Sequence, residues 1–245
     1  MKKQLLFLAA NAIFIAGHGQ TATETKTSGI VRYEEKMKLE IKLEGESAAF
    51  ADQLPKERTE QKILWFTPEM SLYRGDPEKQ NKEVEEHEAA GAIVQVKMAS
   101  SDDQVYYNCR TGIKTEQRDF MTRMFLIESD IEKPNWKLTG EQKTILNYHC
   151  QEAQLDDNGK KVKAWFTPEI PVPAGPQKFG NLPGLILAVD IDDGGRTLTA
   201  TSVEPKPVDQ SLLVKPKKGK KVTAEQYKKI VDEKMKEMGG KGGDG

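Results

Sequence analysis

The chain has 245 residues, of which 37 are Lys or Arg and 38 are Asp or Glu, so its formal net charge is −1. This abundant and balanced charge is typical of a well-solvated surface. It excludes the strongly basic character of most nucleic-acid-binding proteins, so we predict no nucleic-acid partner.

Residues 1–19 have the features of a secretory signal peptide. Lys2 and Lys3 precede an apolar stretch, residues 5–16, that is too short to span a bilayer, and small residues follow it. No later segment is apolar enough to cross a membrane, so we predict no transmembrane segment in the mature chain. The sequence therefore predicts export to the periplasm or the extracellular space, with a flexible segment over residues 20–29.

Residues 30–204 carry the patterns of short β-strands. Apolar residues alternate with Lys and Glu over residues 37–43, and Asn158-Gly159 and Gly194-Gly195 are strong hairpin signals. Residues 92–98 and 104–109 are predicted to pair across a polar turn. Together these patterns predict a mainly β fold built on a large curved antiparallel sheet or half-barrel, with a β-sandwich as the alternative.

A five-residue sequence, Trp-Phe-Thr-Pro-Glu, occurs twice, at residues 65–69 and 165–169. One interpretation is that two strands end with the same stop signal, their aromatic residues packing in the core. The other is that the aromatic pairs form equivalent walls of one ligand pocket. On that second interpretation the candidate ligand-binding residues are Trp65, Phe66, Trp165, Phe166 and Phe179.

Residues 175–187 join a rigid turn to an apolar run. Gly175, Gly180, Gly184 and Asn181 tolerate positive φ, and two prolines remove backbone donors. The stretch predicts a corner without helix, followed by a buried strand over residues 185–189. The alternative interpretation, which the pattern favours less, is a ligand or partner loop held by that corner.

This stretch also resembles the signature of the GLPGLI family, a group of mostly uncharacterised secreted bacterial proteins. The resemblance covers residues 135–205, and its central motif is Gly180, Asn181, Leu182, Pro183, Gly184, Leu185 and Ile186. Asn181 stands where the family name has its first glycine, and Asn also tolerates the left-handed conformation. The resemblance implies an envelope or secreted location and a β-rich fold, and it supplies no catalytic residues.

The chain contains two cysteines, Cys109 and Cys150. In an oxidising compartment such a pair predicts a disulfide, with buried free thiols as the alternative. His149 adjoins Cys150, but neighbours on a strand point to opposite faces, which argues against a shared metal site.

The C-terminal part changes character. Residues 205–222 are rich in Lys and Pro and are predicted to be a linker. Thr223 and Gln226 have the spacing of a capping box, and apolar residues at helical spacing predict an amphipathic helix over residues 223–238. Residues 239–245 are rich in Gly and are predicted to be a flexible tail.

The sequence shows no catalytic or metal-binding motif, so we predict no metal and no cofactor. His87 near Glu83 on a helix could hold a metal, but a solvated acidic surface explains the segment better. The sequence favours a non-enzymatic binding or carrier protein for an apolar small molecule. An interaction partner of an envelope protein complex is the alternative, and a metal-dependent hydrolase is the second alternative.

Overall fold

A computed structural model of the chain describes residues 26–39, 55–79, 84–89, 92–97 and 101–239. The predicted signal peptide and the predicted strand pattern beyond residue 39 lie outside these ranges. Most residues of the two predicted flexible segments, 20–29 and 239–245, also lie outside them. Side chains are not described for residues 84–89, 92–97 and 238–239.

The described residues are mostly β-strands. The strands are β1 (Gly29–Lys38), β2 (Glu57–Phe66), β3 (Met70–Gly75), β4 (Val84–Ala89), β5 (Ala92–Lys97), β6 (Gln104–Asn108), β7 (Ile113–Phe120), β8 (Arg123–Asp130), β9 (Lys137–Ile145), β10 (Tyr148–Asp157), β11 (Lys160–Thr167), β12 (Leu185–Ile191), β13 (Arg196–Pro205) and β14 (Lys220–Val222). A short 3-10 helix (Gln210–Leu212) precedes β14, and one α-helix, α1 (Ala224–Gly239), follows it.

Twelve of these strands form one open sheet in the order β14-β8-β7-β6-β3-β2-β1-β13-β12-β11-β10-β9. All neighbours pair antiparallel except β14, which pairs parallel to β8. The prediction of a large antiparallel sheet with a C-terminal helix is therefore confirmed. Strand β14 falls inside the segment predicted as a linker, residues 205–222, and extends the sheet there.

The two hairpin predictions are also confirmed. Asn158 and Gly159 both take positive φ between β10 and β11, as a two-residue turn of type I′ requires. Asp192, Asp193 and Gly194 take positive φ between β12 and β13. Short side chains that tolerate this conformation let the strands reverse without strain.

The predicted pairing of residues 92–98 with 104–109 is wrong. Strand β5 pairs with β4 in a separate two-stranded sheet, whereas β6 pairs with β3 and β7 in the large sheet. His87 lies in β4 rather than on the helix that the metal alternative assumed, and Glu83 lies outside the described residues. Among the described residues, no cluster of His, Cys, Asp and Glu could hold a metal ion.

The sheet buries one face under a long loop, residues 168–184, which we call the capping loop. Alternation along β1 points Val31, Tyr33 and Glu35 to this inner face. The capping loop adds buried apolar side chains to the same core, among them Ile170, Val172, Phe179 and Leu182. The loop lies between β11 and β12, so these two neighbouring strands and their covering layer come from one continuous stretch of chain.

Four hydrogen bonds anchor the capping loop and the strand that follows it. The Trp136 indole donates to the Gly180 carbonyl at 2.9 Å, and the Asn181 side-chain amide donates to the Glu132 carbonyl at 2.9 Å. The Gly184 N–H donates to the Leu182 carbonyl at 2.8 Å. The buried Tyr33 hydroxyl donates to the Ile186 carbonyl at 2.6 Å. These bonds hold a segment without helix or strand as a defined layer.

The glycines of the motif serve close packing. Positive φ occurs at Gln177 and Asn181, as predicted for Asn181, but not at Gly175 or Gly184. A Cβ on Gly184 would lie 2.1 Å from the Thr167 carbonyl oxygen. The motif therefore needs glycine because two backbone segments touch there.

The outer face is covered by the chain that follows β13. Ile63, Trp65, Leu72 and Tyr106 form a second apolar cluster there, closed by Leu213. Trp65 and Phe66 thus point to opposite faces of the same strand, as alternation requires.

Helix α1 begins with the predicted capping box. The Gln226 N–H donates to the Thr223 hydroxyl at 3.2 Å, and the Thr223 N–H donates to the Gln226 side chain at 3.0 Å. Tyr227 packs edge to face on Phe120 and Phe125 of the sheet. No helix in the described part of the chain is both long and apolar enough to cross a membrane.

Both cysteines are free thiols, so the predicted disulfide does not form in this structure. Cys150 is buried in the inner core, whereas Cys109 is exposed beyond the end of β6. The alternative of a buried free thiol describes Cys150. Burial raises the pKa of the Cys150 thiol to about 11 and also raises the pKa of Cys109.

We expect a thiol-alkylating reagent to modify Cys109 in the native protein and Cys150 only after unfolding. The thiolate is the reactive form, so raised pKa values make native labelling slow at neutral pH and faster as the pH rises. Mass spectrometry with and without denaturant, and without reductant, measures this. Failure to label either residue in denaturant would show a disulfide and contradict the structure.

Candidate functional site

A polar cleft of about 280 Å³ lies on the inner face, beside the capped apolar core. We call it the charged cleft. Its floor comes from β1, β2, β3 and β13, and its walls come from β6, β7 and the capping loop. The lining residues are Glu35, Met37, Arg58, Glu60, Lys62, Tyr73, Ser101, Asp103, Val105, Arg118, Asp119, Gln177 and Arg196.

Strand register explains why these residues meet. On the inner face Tyr33 lies opposite Lys62, Glu35 opposite Glu60, and Met37 opposite both Arg58 and Arg196. Towards the other end of the same strands the inner face carries apolar residues under the capping loop. Each strand therefore changes along its length from apolar core to charged cleft.

Glu35 is the buried centre of the cleft, with only 6% of its surface exposed. Arg196 Nε donates to its carboxylate at 2.8 Å, and the Arg196 Nη2 pairs with the same oxygen. Gln177 Nε2 lies 3.0 Å and the Tyr73 hydroxyl 3.2 Å from the other oxygen. Three donors on β13, β3 and the capping loop thus satisfy one buried carboxylate.

The Tyr73 hydroxyl donates as a neutral phenol. Burial raises the pKa of Tyr73 well above its ordinary value, and the Glu35 carboxylate raises it further. Its ring packs edge to face on Tyr33, with ring centroids 5.9 Å apart. The polar centre of the cleft is therefore joined directly to the apolar core.

A second group of charges flanks Glu35 on β2. The Glu60 carboxylate pairs with both Arg58 and Lys62, its neighbours on the same face of the strand. Lys62 is 5% exposed, which is rare for a lysine and requires such a partner. This group fixes two cations and one carboxylate on the floor of the cleft beside Glu35.

The wall of the cleft on β7 is built around Arg118. Its guanidinium lies 2.9 Å from Glu116 and 3.4 Å from Asp103. Although burial opposes the charge, these two carboxylates hold the pKa of Arg118 above its ordinary value. The Tyr227 hydroxyl is close enough to contribute to the same effect, so α1 stands beside this wall.

The charges that line the cleft cancel. Four cations (Arg58, Lys62, Arg118, Arg196) face four carboxylates (Glu35, Glu60, Asp103, Asp119). Guanidinium and carboxylate groups held by ion pairs still offer further donors and acceptors. Such a site suits a neutral ligand with many hydroxyl or amide groups better than a phosphate or another strongly charged molecule.

The candidate aromatic pocket is mostly filled core. Phe66, Phe166 and Phe179 lie in the inner cluster, with Trp165 half-buried at its margin, and Trp65 lies in the outer cluster. Lys143 Nζ lies 4.0 Å from the centre of the Trp165 ring, which closes that side. The structure therefore packs four of the five candidate residues in or against the inner cluster. It places the fifth, Trp65, in the outer cluster.

The two copies of Trp-Phe-Thr-Pro-Glu end their strands in the same way. The Thr67 hydroxyl accepts from the Glu69 N–H at 3.4 Å, and the Thr167 hydroxyl accepts from the Glu169 N–H at 3.3 Å. Strand β3 follows the first copy directly, whereas the rest of the capping loop follows the second. These contacts match the interpretation of a repeated strand-stop signal.

A small apolar crevice lies between the capping loop and the β2–β3 turn, beside Phe179 and Cys109. Its volume of about 30 Å³ holds no more than a water molecule. Among the sequence-predicted site residues, Cys109, Phe179, Gly180 and Asn181 line this crevice.

The charged residues of the cleft were missed by the sequence analysis. Glu35 was the available signal, because it continues the inward alternation of Val31 and Tyr33 and is an acid where the pattern calls for an apolar residue. Arg196 and Gln177 had no comparable signal, since they come from distant positions in the chain.

A large open antiparallel sheet with a capped inner face and a C-terminal helix defines the chain as a mainly β domain. A family model described as "N-glycanase peptide, N-terminal domain" matches residues 92–229, more than half of the chain. The chain belongs to that family. The match begins at β5, so the strands that supply Glu35 and Lys62 precede it.

Two crystal forms of PNGF-II, C2 and P21, resemble the structure with a TM-score of 0.54 and 18% sequence identity. Each match covers 83% of this chain, and 32% and 33% respectively of the PNGF-II chain. This chain therefore spans about a third of the length of PNGF-II. At this identity the likeness concerns the fold. A comparison with curated proteins finds no match.

Proposed function

We propose that this chain is an exported binding module that holds the carbohydrate of an N-linked glycoprotein in the charged cleft. The observation that carries the proposal is the cleft itself, in which fixed donors and acceptors line a concave site whose charges cancel. The family description names an N-glycanase, an enzyme that acts on N-linked glycans. The cleft and the family description both favour a neutral, hydroxyl-rich ligand.

The electrostatics support binding rather than catalysis. A general acid or base needs a carboxyl group poised to exchange a proton with the substrate. Glu35, Glu60 and Asp103 are each paired with a cation in the described structure. Paired in this way they are suited to accept hydrogen bonds from the hydroxyl groups of a ligand.

Export and GLPGLI membership are part of the same proposal. The motif at residues 180–186 and the basic and apolar segments of residues 1–19 support them. Glycoproteins are met outside the cytoplasm, so an exported module with this cleft would reach its ligand. The proposed export is tested by measuring the intact mass of the secreted protein, which should show cleavage near residue 20.

The predicted carrier of an apolar small molecule stays an alternative. Its candidate residues lie in packed core, so a ligand of lipid size would have to displace the capping loop. The charged cleft needs no such opening. Retention of an apolar molecule through purification, found by native mass spectrometry, would favour this alternative over the glycan.

We expect isothermal titration calorimetry to show binding of an N-glycopeptide and of its free glycan, but not of the peptide alone. Replacing Asp119 or Gln177 with Ala should weaken the binding about tenfold, because each removes one polar contact at the mouth of the cleft. Both side chains are at least partly exposed, so both variants should fold.

Asp130→Ala is the matched control, since Asp130 is an exposed carboxylate on a neighbouring strand outside the cleft. Equal affinity in wild type, Asp119→Ala and Gln177→Ala would place the glycan elsewhere. Binding of the bare peptide with the same affinity would contradict the proposed ligand class.

A further inference from the structure

A lysine-rich segment runs along the β14 edge of the sheet, far in sequence from most of the cleft residues. Residues 215–221 read Lys-Pro-Lys-Lys-Gly-Lys-Lys, five lysines without an acidic residue in a chain of net charge −1. Lys215 pairs with Glu128 of β8. Lys217, Lys218, Lys220 and Lys221 are exposed, and none forms an ion pair within the described part of the chain.

Exposed apolar side chains lie immediately before these lysines. Leu213 is buried in the outer cluster, and its neighbours Leu212 and Val214 point away from the sheet, 46% and 55% exposed. We call residues 212–221 the basic strap. Because Leu212 and Val214 are exposed, the basic strap presents an apolar surface directly beside its lysines.

Helix α1 extends this surface after the strap. A crevice of about 450 Å³ separates α1 from β8, with Phe125 and Ile230 at its floor. Arg123, Lys220 and Lys234 surround it together with the single acid Glu233. Further along the helix Met235 is 57% exposed. Positively charged residues therefore lie next to apolar side chains both on the basic strap and on the adjoining helix.

We propose that the basic strap docks the protein on the surface of an anionic lipid bilayer. The lysines would lie at the headgroup phosphates, and Leu212 and Val214 would reach the boundary of the acyl chains. A cluster of lysines together with exposed apolar residues or an amphipathic helix is the combination that holds peripheral proteins on anionic membranes. The proposal does not depend on the ligand of the charged cleft.

Protection of the sheet edge explains only part of this pattern. Lysines on an edge strand prevent two copies from pairing edge to edge. Lys220 and Lys221 lie on β14 and can do this. Lys217 and Lys218 precede β14, and Leu212 and Val214 would promote association rather than prevent it.

Co-sedimentation of the full chain with vesicles tests the proposal. We expect binding to vesicles that contain phosphatidylglycerol, weak binding to pure phosphatidylcholine, and loss of binding as salt is raised. The double variant Lys217→Gln, Lys218→Gln should lower the affinity about 30-fold, since each lysine near an anionic surface contributes about fivefold. Val214→Ser should lower it further at high salt.

The matched control is Lys160→Gln, Lys161→Gln, two adjacent exposed lysines at the β10–β11 turn. This control should bind anionic vesicles like the wild type. An equal loss of vesicle affinity in both double variants would show a general effect of net charge and overturn the proposal. Binding to a soluble polyanion but not to vesicles would also overturn it, in favour of a polyanionic ligand.

Discussion

Gly184→Ala is expected to destabilise the protein by about 3 kcal/mol or more, because the new methyl group has no room. The Cβ would lie 2.1 Å from the Thr167 carbonyl oxygen and 2.7 Å from its carbon, and both belong to the backbone at the end of β11. Moving that backbone would pull apart the junction between the capping loop and the two strands that it joins. Urea unfolding followed by tryptophan fluorescence measures the change.

Gly180→Ala is the matched control in the same loop. Its Cβ would lie 3.1 Å from the Pro173 carbonyl oxygen, a contact that a small shift relieves. We expect less than about 1 kcal/mol for this variant. Equal shifts of the urea midpoint in the two variants would contradict the account of why the motif needs glycine at residue 184.

Glu35→Gln is expected to destabilise the protein by about 2–3 kcal/mol. The change keeps the shape of the side chain and removes the negative charge to which Arg196 and the Tyr73 hydroxyl both donate hydrogen bonds. Removing one partner of a fully buried pair costs about 3–5 kcal/mol, and the 36% exposure of the Arg196 side chain reduces this, because water can solvate the guanidinium.

Glu34→Gln provides the control from the adjacent residue on the other face of β1. The ion pair between Glu34 and Lys36 is partly exposed, so its loss should cost less than about 1 kcal/mol. Thermal unfolding of both variants in the same buffer distinguishes the two faces. A Glu35→Gln variant as stable as the wild type would show that the cleft is not held together by this carboxylate.

The features that the sequence predicted correctly depend on neighbouring residues. The type I′ turn needs only Asn158 and Gly159, and the capping box needs only Thr223 and Gln226. The left-handed conformation of Asn181 was predictable in the same way. Local chemistry of this kind decides the structure because no distant contact can easily override it.

Predictions that depended on distant contacts were less successful. The polar turn before β6 looks the same whether or not β5 and β6 pair, and here β6 pairs with β3. The aromatic repeat was equally ambiguous, because its two copies pack differently: Trp65 and Phe66 lie in opposite clusters, whereas Trp165 and Phe166 both pack in or against the inner one. Which face is core depends on what covers it, and the capping loop supplies that information only in the folded chain.

The charged cleft shows this limit most directly. Its central contacts join Glu35 to Gln177 and Arg196, which lie 142 and 161 residues further along the chain. The register of β1 with β2 and β13 brings the groups together, and no spacing in the sequence encodes it. An acidic residue at an inward-facing strand position is the signal by which such a site can be sought in other sequences.

Glycan binding in the charged cleft is tested most directly by nuclear magnetic resonance. Amide shifts of the isotope-labelled protein would be followed as an N-glycopeptide is added. The account predicts that shifts concentrate around Glu35, Gln177 and Arg196, on the inner face. Shifts confined to the outer face, around Trp65 and Leu213, would contradict it. An absence of shifts at a glycopeptide concentration that saturates the calorimetric binding signal would also contradict it.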